Sequence, residues 1–187
     1  MKNSLKAALA ALVILSASAA HAELNYDYVE AGVGLWSPSG WSPIGPDVRG
    51  SLKLNENVFL YGGARFLKDN AKYTNFHIGA AYRFIINQQT DVWAGANLEH
   101  QKIDAGCWGG TCRADDNSVA FRGGVRHQLN NDVELGATAR LITGDFDYFG
   151  LNGHARFKLS ETLSFKGEID VQDGDLGAFA GLTIFFN

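Results

Sequence analysis

From Val29 to Phe186 apolar residues recur at every second position, and glycines or polar residues fill the places between. A helix would bring apolar residues back at intervals of three and four; a period of two belongs to strands with two unlike faces. Between Tyr73 and Phe84, the residues Thr74, Phe76, Ile78, Ala80, Tyr82 and Phe84 form one set, and Tyr73, Asn75, His77, Gly79, Ala81 and Arg83 the other. Ser118–Leu129 sets Val119, Phe121, Val125 and Leu129 against Ser118, Arg122, Arg126 and Gln128. Leu163–Gln172 and Leu176–Phe186 behave in the same way. The chain is predicted to be all-β.

The breaks between strands come in two kinds. Short polar breaks sit at Asn55–Asn57, Asn87–Thr90, Asn130–Asp132 and Ser160–Thr162, each followed by a new strand. Five other connections lie between them: Ser37–Asp47, Leu67–Lys72, Asp104–Asn117, Thr143–Asp147 and Gln172–Asp175. Four turns and five loops give ten antiparallel strands in up-and-down order, with both chain ends on the turn side. Eight strands remain an alternative, because the strand at Val48–Leu54 is short. Pro38, Pro43 and Pro46 fall in one segment. Proline lacks the ladder donor, so the region after Pro46 is free to form continuous sheet.

Alternation alone does not say which face is inside. A soluble up-and-down barrel encloses its apolar set; a transmembrane barrel turns that set outward. Three features favour the second arrangement. The polar set carries Gly34, Gly63, Gly79, Gly95, Gly124, Gly136, Gly177 and Gly181, which weaken a solvated strand but make room for long side chains in a narrow barrel. The apolar set is almost free of charge, as hydrocarbon requires. A closed sheet also satisfies every backbone donor and acceptor, which a bilayer demands. Trp36, Phe66, Tyr82, Phe84, Tyr148 and Phe186 lie near strand ends, where interfacial aromatics belong, although not all are on the outward set. A soluble periplasmic barrel is the rival reading.

The first residues follow another logic. Lys2 and Lys6 precede the apolar run Ala7–Leu15, and small residues lead to Ala20-His21-Ala22. That order describes a secretory signal peptide with Ala20 and Ala22 at the cleavage point, against the alternative of a retained anchor helix. Residues 1–22 are therefore expected to be removed, leaving 23–187 as one barrel domain. That domain keeps 14 Lys and Arg against 20 Asp and Glu, and its acidity argues against nucleic acid as a partner.

Tyr26-Asp27-Tyr28-Val29-Glu30-Ala31-Gly32 resembles the first strand of small porin-like outer-membrane β-barrel proteins of the OmpA, OmpX and opacity type. The end, from Gly181 through Ile184 to Phe186, resembles their assembly signal, although Ile184 stands where an aromatic is usual and Asn187 follows the final aromatic. The resemblance implies a Gram-negative outer membrane as the location, outer-membrane lipid as the surroundings, and the barrel-assembly machinery as a partner during insertion.

The residues with chemistry are few. Cys107 and Cys112 flank Trp108 in the longest connection. An oxidising compartment favours a disulfide; a metal site would lack a nearby His pair, and no metal or other cofactor is expected. Trp108 and Trp41 are loop-contact candidates, or else pack over the barrel mouth. The expected lumen holds Arg49, Lys53, Arg65, Arg83, Arg122, Arg126, Arg140, Arg156, Lys158 and Lys166, facing Glu30, Asp91, Glu99, Glu134, Glu168 and Asp170. A salt-bridged plug and a narrow pore both use such a set, and ten bases against six acids would favour anions in a pore. Asp47, Asp69, Asp104, Asp115, Asp116, Asp145, Asp147, Asp173 and Asp175 are placed in loops. No nucleophile motif or metalloprotease motif is present, and no His accompanies Asp145 and Asp147. The expected role is structural or interactive: envelope integrity, or adhesion through loops toward a surface ligand or host factor. A narrow solute channel is the alternative, and an outer-membrane enzyme the third choice.

Overall fold

The computed structural model describes residues 24–38, 42–107 and 110–186. Ten strands follow one another: β1 (Tyr28–Ser37), β2 (Ile44–Lys53), β3 (Val58–Lys68), β4 (Ala71–Asn87), β5 (Thr90–Cys107), β6 (Gly110–Gln128), β7 (Val133–Ile142), β8 (Tyr148–Lys158), β9 (Leu163–Gln172) and β10 (Asp175–Phe185). Each pairs antiparallel with its sequence neighbours, and β10 closes on β1. The barrel has ten strands, not eight. Followed pair by pair once round, the register leads from Ser37 to the level of Asn25, a stagger of twelve residues. With ordinary strand spacing and rise, that stagger tilts the strands about 40° to the barrel axis.

The four short breaks are tight turns. Asn55 and Asn130 each accept the N–H groups two and three residues on, through Oδ1 at 2.9 Å. One side-chain oxygen thus holds each turn. At the other end Asp173 and Gly174 join β9 to β10 with φ of 47° and 96°, a two-residue hairpin of the kind that needs Asp-Gly.

Three expected connections are strand instead. β2 begins at Ile44, so the strand expected from Val48 is longer and contains Pro46. Pro46 faces Val33 of β1, and the ladder to β3 lapses at Gly45 and Pro46, where the missing donor does no harm. The Leu67–Lys72 connection shrinks to Asp69 and Asn70, between β3 and β4. The largest change is at Asp104–Asn117. It is a continued hairpin, with β5 paired to β6 as far as Cys107↔Gly110. β4, β5 and β6 run 17, 18 and 19 residues, against 10 or 11 for the others.

Ile78 and Leu98 are 67% and 65% exposed on the outer wall, whereas Glu30, Asp91 and Thr183 are 1%, 1% and 0% exposed inside. Apolar residues face out and ionic ones are enclosed. Phe66, Tyr82, Phe84 and Phe186 lie on the outer face. Trp36 and Tyr148 do not: they point inward, Trp36 against Tyr73 and Tyr148 beside Arg140. The outer face changes character above Leu98 and Val119. The next outward residues are His100 opposite Asn117, then Lys102 opposite Asp115, then Asp104 opposite Arg113. Charge at this density does not sit in hydrocarbon. The upper β5–β6 hairpin is therefore an arm standing clear of the apolar band. Ala20 and Ala22 lie outside the described residues, as do Trp41 and Trp108.

Ala96 lies on the outer face between Ala80 and Phe121, below the polar change. Ala96→Arg should destabilise the barrel in lipid vesicles by about 2–4 kcal/mol, while Ala96→Leu should be near neutral. Urea unfolding followed by the heat-dependent gel shift measures both. Equal effects of the two substitutions would contradict a lipid-facing wall.

Candidate functional site: the charged lumen

Nine side chains form one continuous ionic chain across the interior. Arg65 Nε donates to Asp47 at 2.7 Å, and Arg49 donates to Asp47 at 2.8 and 2.9 Å. Arg49 Nη1 also donates to both oxygens of Glu168, at 2.8 and 2.9 Å. Lys166 Nζ bridges Glu168 at 3.0 Å and Glu30 at 2.9 Å. Arg156 then links Glu30 to Glu134, and Arg126 holds Glu134 through two bonds of 2.8 and 2.9 Å. The chain passes through β3, β2, β9, β1, β8, β7 and β6. Three further pairs stand beside it: Arg83–Asp91, Arg122–Glu99 and Arg140–Asp170, at 2.6, 2.8 and 2.6 Å.

The register explains why the network must reach across the lumen. Glu134 faces Arg156 and Asp91 faces Arg126 on neighbouring strands. Arg122, however, faces Arg140, and Arg156 faces Lys166. Like charges directly opposite are destabilising. Each is answered by a carboxylate: Arg122 by Glu99, Arg140 by Asp170, and the Arg156–Lys166 pair by Glu30 between them. Glu30 also accepts Thr183 Oγ1 at 3.2 Å. Inward glycines make the space. A Cβ on Gly150 would stand 2.7 Å from Arg140 Nε, and one on Gly136 would meet the His154 ring.

Both ends of the ladder carry apolar packing. At the turn end Leu24 and Tyr26 fold inward and pack with Phe59 and Ala81, flanked by Tyr61 and Trp93. Arg126 and Arg83 lie over the Tyr26 ring at 4.3 and 5.0 Å. At the loop end Trp36 meets Tyr73 at 5.0 Å, and Leu67 and Ile142 are buried. Among the described residues the interior has a cavity of about 50 Å³ toward the loop end and one of about 110 Å³ toward the turn end. Arg49, His77, Arg122 and Asn152 line both.

The placement of charges departs from expectation at three residues. Lys53 and Lys158 have the inward parity but sit at the turn-end rim, exposed, with Lys158 paired to Glu161 at 2.9 Å. Their strands end there, so parity no longer means enclosure. Asp47, expected in a loop, is 1% exposed inside the barrel, because β2 begins three residues before it. The enclosed set among the described residues is eight basic side chains against seven acidic ones, not ten against six. Arg49, Arg65, Arg83, Arg122, Arg126, Arg140, Arg156 and Lys166 are all where the alternation puts them.

Outside the lumen the residues are scattered. Cys107 and Cys112 form a disulfide at the tip of the arm, with Cα atoms 5.6 Å apart. Below it Arg113 Nε donates to Asp104 at 2.7 Å, and this bond holds the Asp104 carboxyl below its usual range. Ser118 and the Phe146 N–H do the same for Asp116. Asp145 and Asp147 are exposed. His100 bonds Asn117 at 3.0 Å and His127 bonds Thr90 at 2.9 Å on the outer face. Among the described residues no three His, Cys, Asp or Glu side chains come together as a metal site.

A closed sheet with an apolar exterior, a charged interior and tight turns at one rim defines a β-barrel protein of the outer membrane. The family model for the outer membrane protein beta-barrel domain matches residues 7–175. The chain belongs to that family, and its place is the outer membrane. No curated protein matches it in sequence. Among solved structures it shares the fold of the KdgM porin, with a TM-score of 0.52, 11% identity, and coverage of 86% of this chain and 99% of that one. Neisserial surface protein A matches at 0.47 and 14%, covering 85% and 96%. Ail of Yersinia pestis matches at 0.45 and 11%, covering 87% and 99%.

Glu30 is the carboxylate on which β1, β8, β9 and β10 converge. Glu30→Gln should cost about 3–5 kcal/mol, because Arg156 and Lys166 lose their shared partner in an enclosed site. Urea unfolding in vesicles measures it; a change below about 1 kcal/mol would mean that water replaces the carboxylate freely.

Proposed function

We propose that the protein is a closed, non-enzymatic barrel that acts by what it presents at the loop end, in envelope integrity or in attachment to a surface ligand or host factor. The observation that carries this reading is the continuous chain from Arg65 to Arg126, which spans the interior between two apolar clusters and, among the described residues, is flanked by cavities of about 50 and 110 Å³. The rigid outlet for interaction is the β5–β6 arm, with charge on its outward face and a disulfide at its tip. On this reading a signal peptide sends the chain through the periplasm, the barrel-assembly machinery reads Gly181, Ile184 and Phe186 during insertion, and lipid surrounds the finished wall. The rival is a narrow channel. Its anion preference loses support, since the enclosed bases nearly match the enclosed acids.

Refolded protein in planar bilayers should show no steady conductance. A stable conductance that lumen substitutions such as Arg49→Ala alter would overturn the closed reading and favour the channel. Deleting residues 103–114 should leave the heat-dependent gel shift intact, since the barrel below the arm keeps every strand pair. Loss of that shift would make the arm part of the folding unit and not an appendage.

A further inference from the structure

We infer that the arm binds the arm of a second copy of this chain in a facing membrane, edge to edge along β6. The inference rests on the reading of the arm as the outlet for interaction, and it names the partner. The first ground is an open edge. β7 pairs with β6 only from Gln128 up to Ala120, and above that level no described strand lies on that side of β6. The Thr143 N–H donates to the Val119 carbonyl at 3.0 Å, so Val119 turns its backbone groups away from β5. By strand alternation Asp115 and Arg113 turn theirs the same way. Among the described residues no backbone group meets them there. The open stretch is short, because lower down the Phe146 N–H reaches the Asp116 carboxylate at 3.2 Å and brings the β7–β8 connection alongside.

The second ground is register. Antiparallel pairing of β6 with its own copy about Ala114 sets Arg113 opposite the second copy's Asp115, and Asp115 opposite its Arg113. Both are hydrogen-bonded pairs, so backbone bonds and two ion pairs form together. Moving the axis one residue, to Arg113 or to Asp115, would set like charges directly opposite, which is unfavourable. The signs also alternate across the wider sheet. Within one copy Asp104 faces Arg113 at 2.7 Å and Lys102 faces Asp115. Across both copies each row then reads Asp104, Arg113, Asp115, Lys102. Charges that repel a second copy guard a sheet edge; this edge is complementary to itself, as a two-fold contact requires. The Arg113 side chain is 63% exposed, and Ala114 and Asp115 are exposed beside it. The two-fold axis of such a pair is perpendicular to the sheet. The arm continues the barrel wall, so that axis runs along the membrane plane, and the rotation inverts the second barrel. The pair therefore joins two membranes, not two neighbours in one. A single pair is a small contact, and many pairs in parallel between two surfaces supply the strength.

Lipid nanodiscs carrying one barrel each allow pairing only between facing bilayers. Their sedimentation velocity is measured up to about 0.5 mM, a range in which weak contacts assemble. Wild-type discs should sediment as pairs at the upper concentrations. Arg113→Asp and Asp115→Arg should each leave single discs. An equal mixture of the two variants should pair again, because opposite signs then meet at both positions. That recovery also shows that both variants keep their arms. Ala114→Cys gives a second readout. On the axis its Cα atoms lie about 4.5 Å apart, within disulfide range, so mild oxidation should cross-link two discs. Adding Arg113→Asp to the same chain should prevent the cross-link. Wild-type discs that stay single, or pairing that both charge reversals leave intact, overturn the inference. The first result would leave the arm to a partner of another kind. A steady conductance, by contrast, would remove the closed reading and leave the pairing standing.

Discussion

Hydrocarbon offers the backbone no hydrogen-bond partner, and everything else in this molecule follows from that. A sheet in lipid cannot keep an edge, so β10 returns to β1. Closure at ten strands and a stagger of twelve residues makes an interior narrow enough for side chains to fill. The inward half of every strand then loses contact with bulk water. Its charges are tolerable only as pairs, and the Arg65-to-Arg126 chain is that solution. Polar residues form the core here, and apolar residues form the surface.

The same constraint explains the ends. Where the apolar band stops, the rules relax. The outer face of β5 and β6 changes to His100, Lys102 and Asp104 with Asn117, Asp115 and Arg113 opposite, and the hairpin continues as a solvated arm. At the turn end the segment before β1 tucks Leu24 and Tyr26 into the lumen, where Arg83 and Arg126 lie over the tyrosine ring. The aromatic plug and the ionic ladder thus meet through cation–π contacts, so no bare boundary separates charge from apolar surface.

Much of this architecture was legible in the alternation. Ten strands, the turn side, the outward direction of Ile78 and Leu98, and eight of the ten proposed lumen bases were all readable. The errors have one source. Parity tells which way a side chain points, but not where the strand starts or the barrel wall ends. Lys53 and Lys158 have the inward parity yet lie past the wall. Asp47 looked like a loop residue because Pro46 precedes it, but a proline is harmless where one ladder lapses. Asp104–Asn117 looked like a loop because its outward residues are charged, which is what a strand beyond the membrane also shows. The inward turn of Leu24 and Tyr26 left no periodic signal at all.

By itself the sequence determined the class of fold, because a period of two with charge on one parity admits only a sheet with unlike faces. It also favoured the disulfide, since two cysteines five residues apart leave few alternatives in an oxidising compartment, and the structure supplied the bond. Only the tertiary structure decided which charges pair. Arg49 with Glu168 and Lys166 with Glu30 are separated by more than a hundred residues, and their meeting depends on the stagger with which the sheet closes. That stagger is a property of the whole ring, summed over ten registers, and no single strand encodes it.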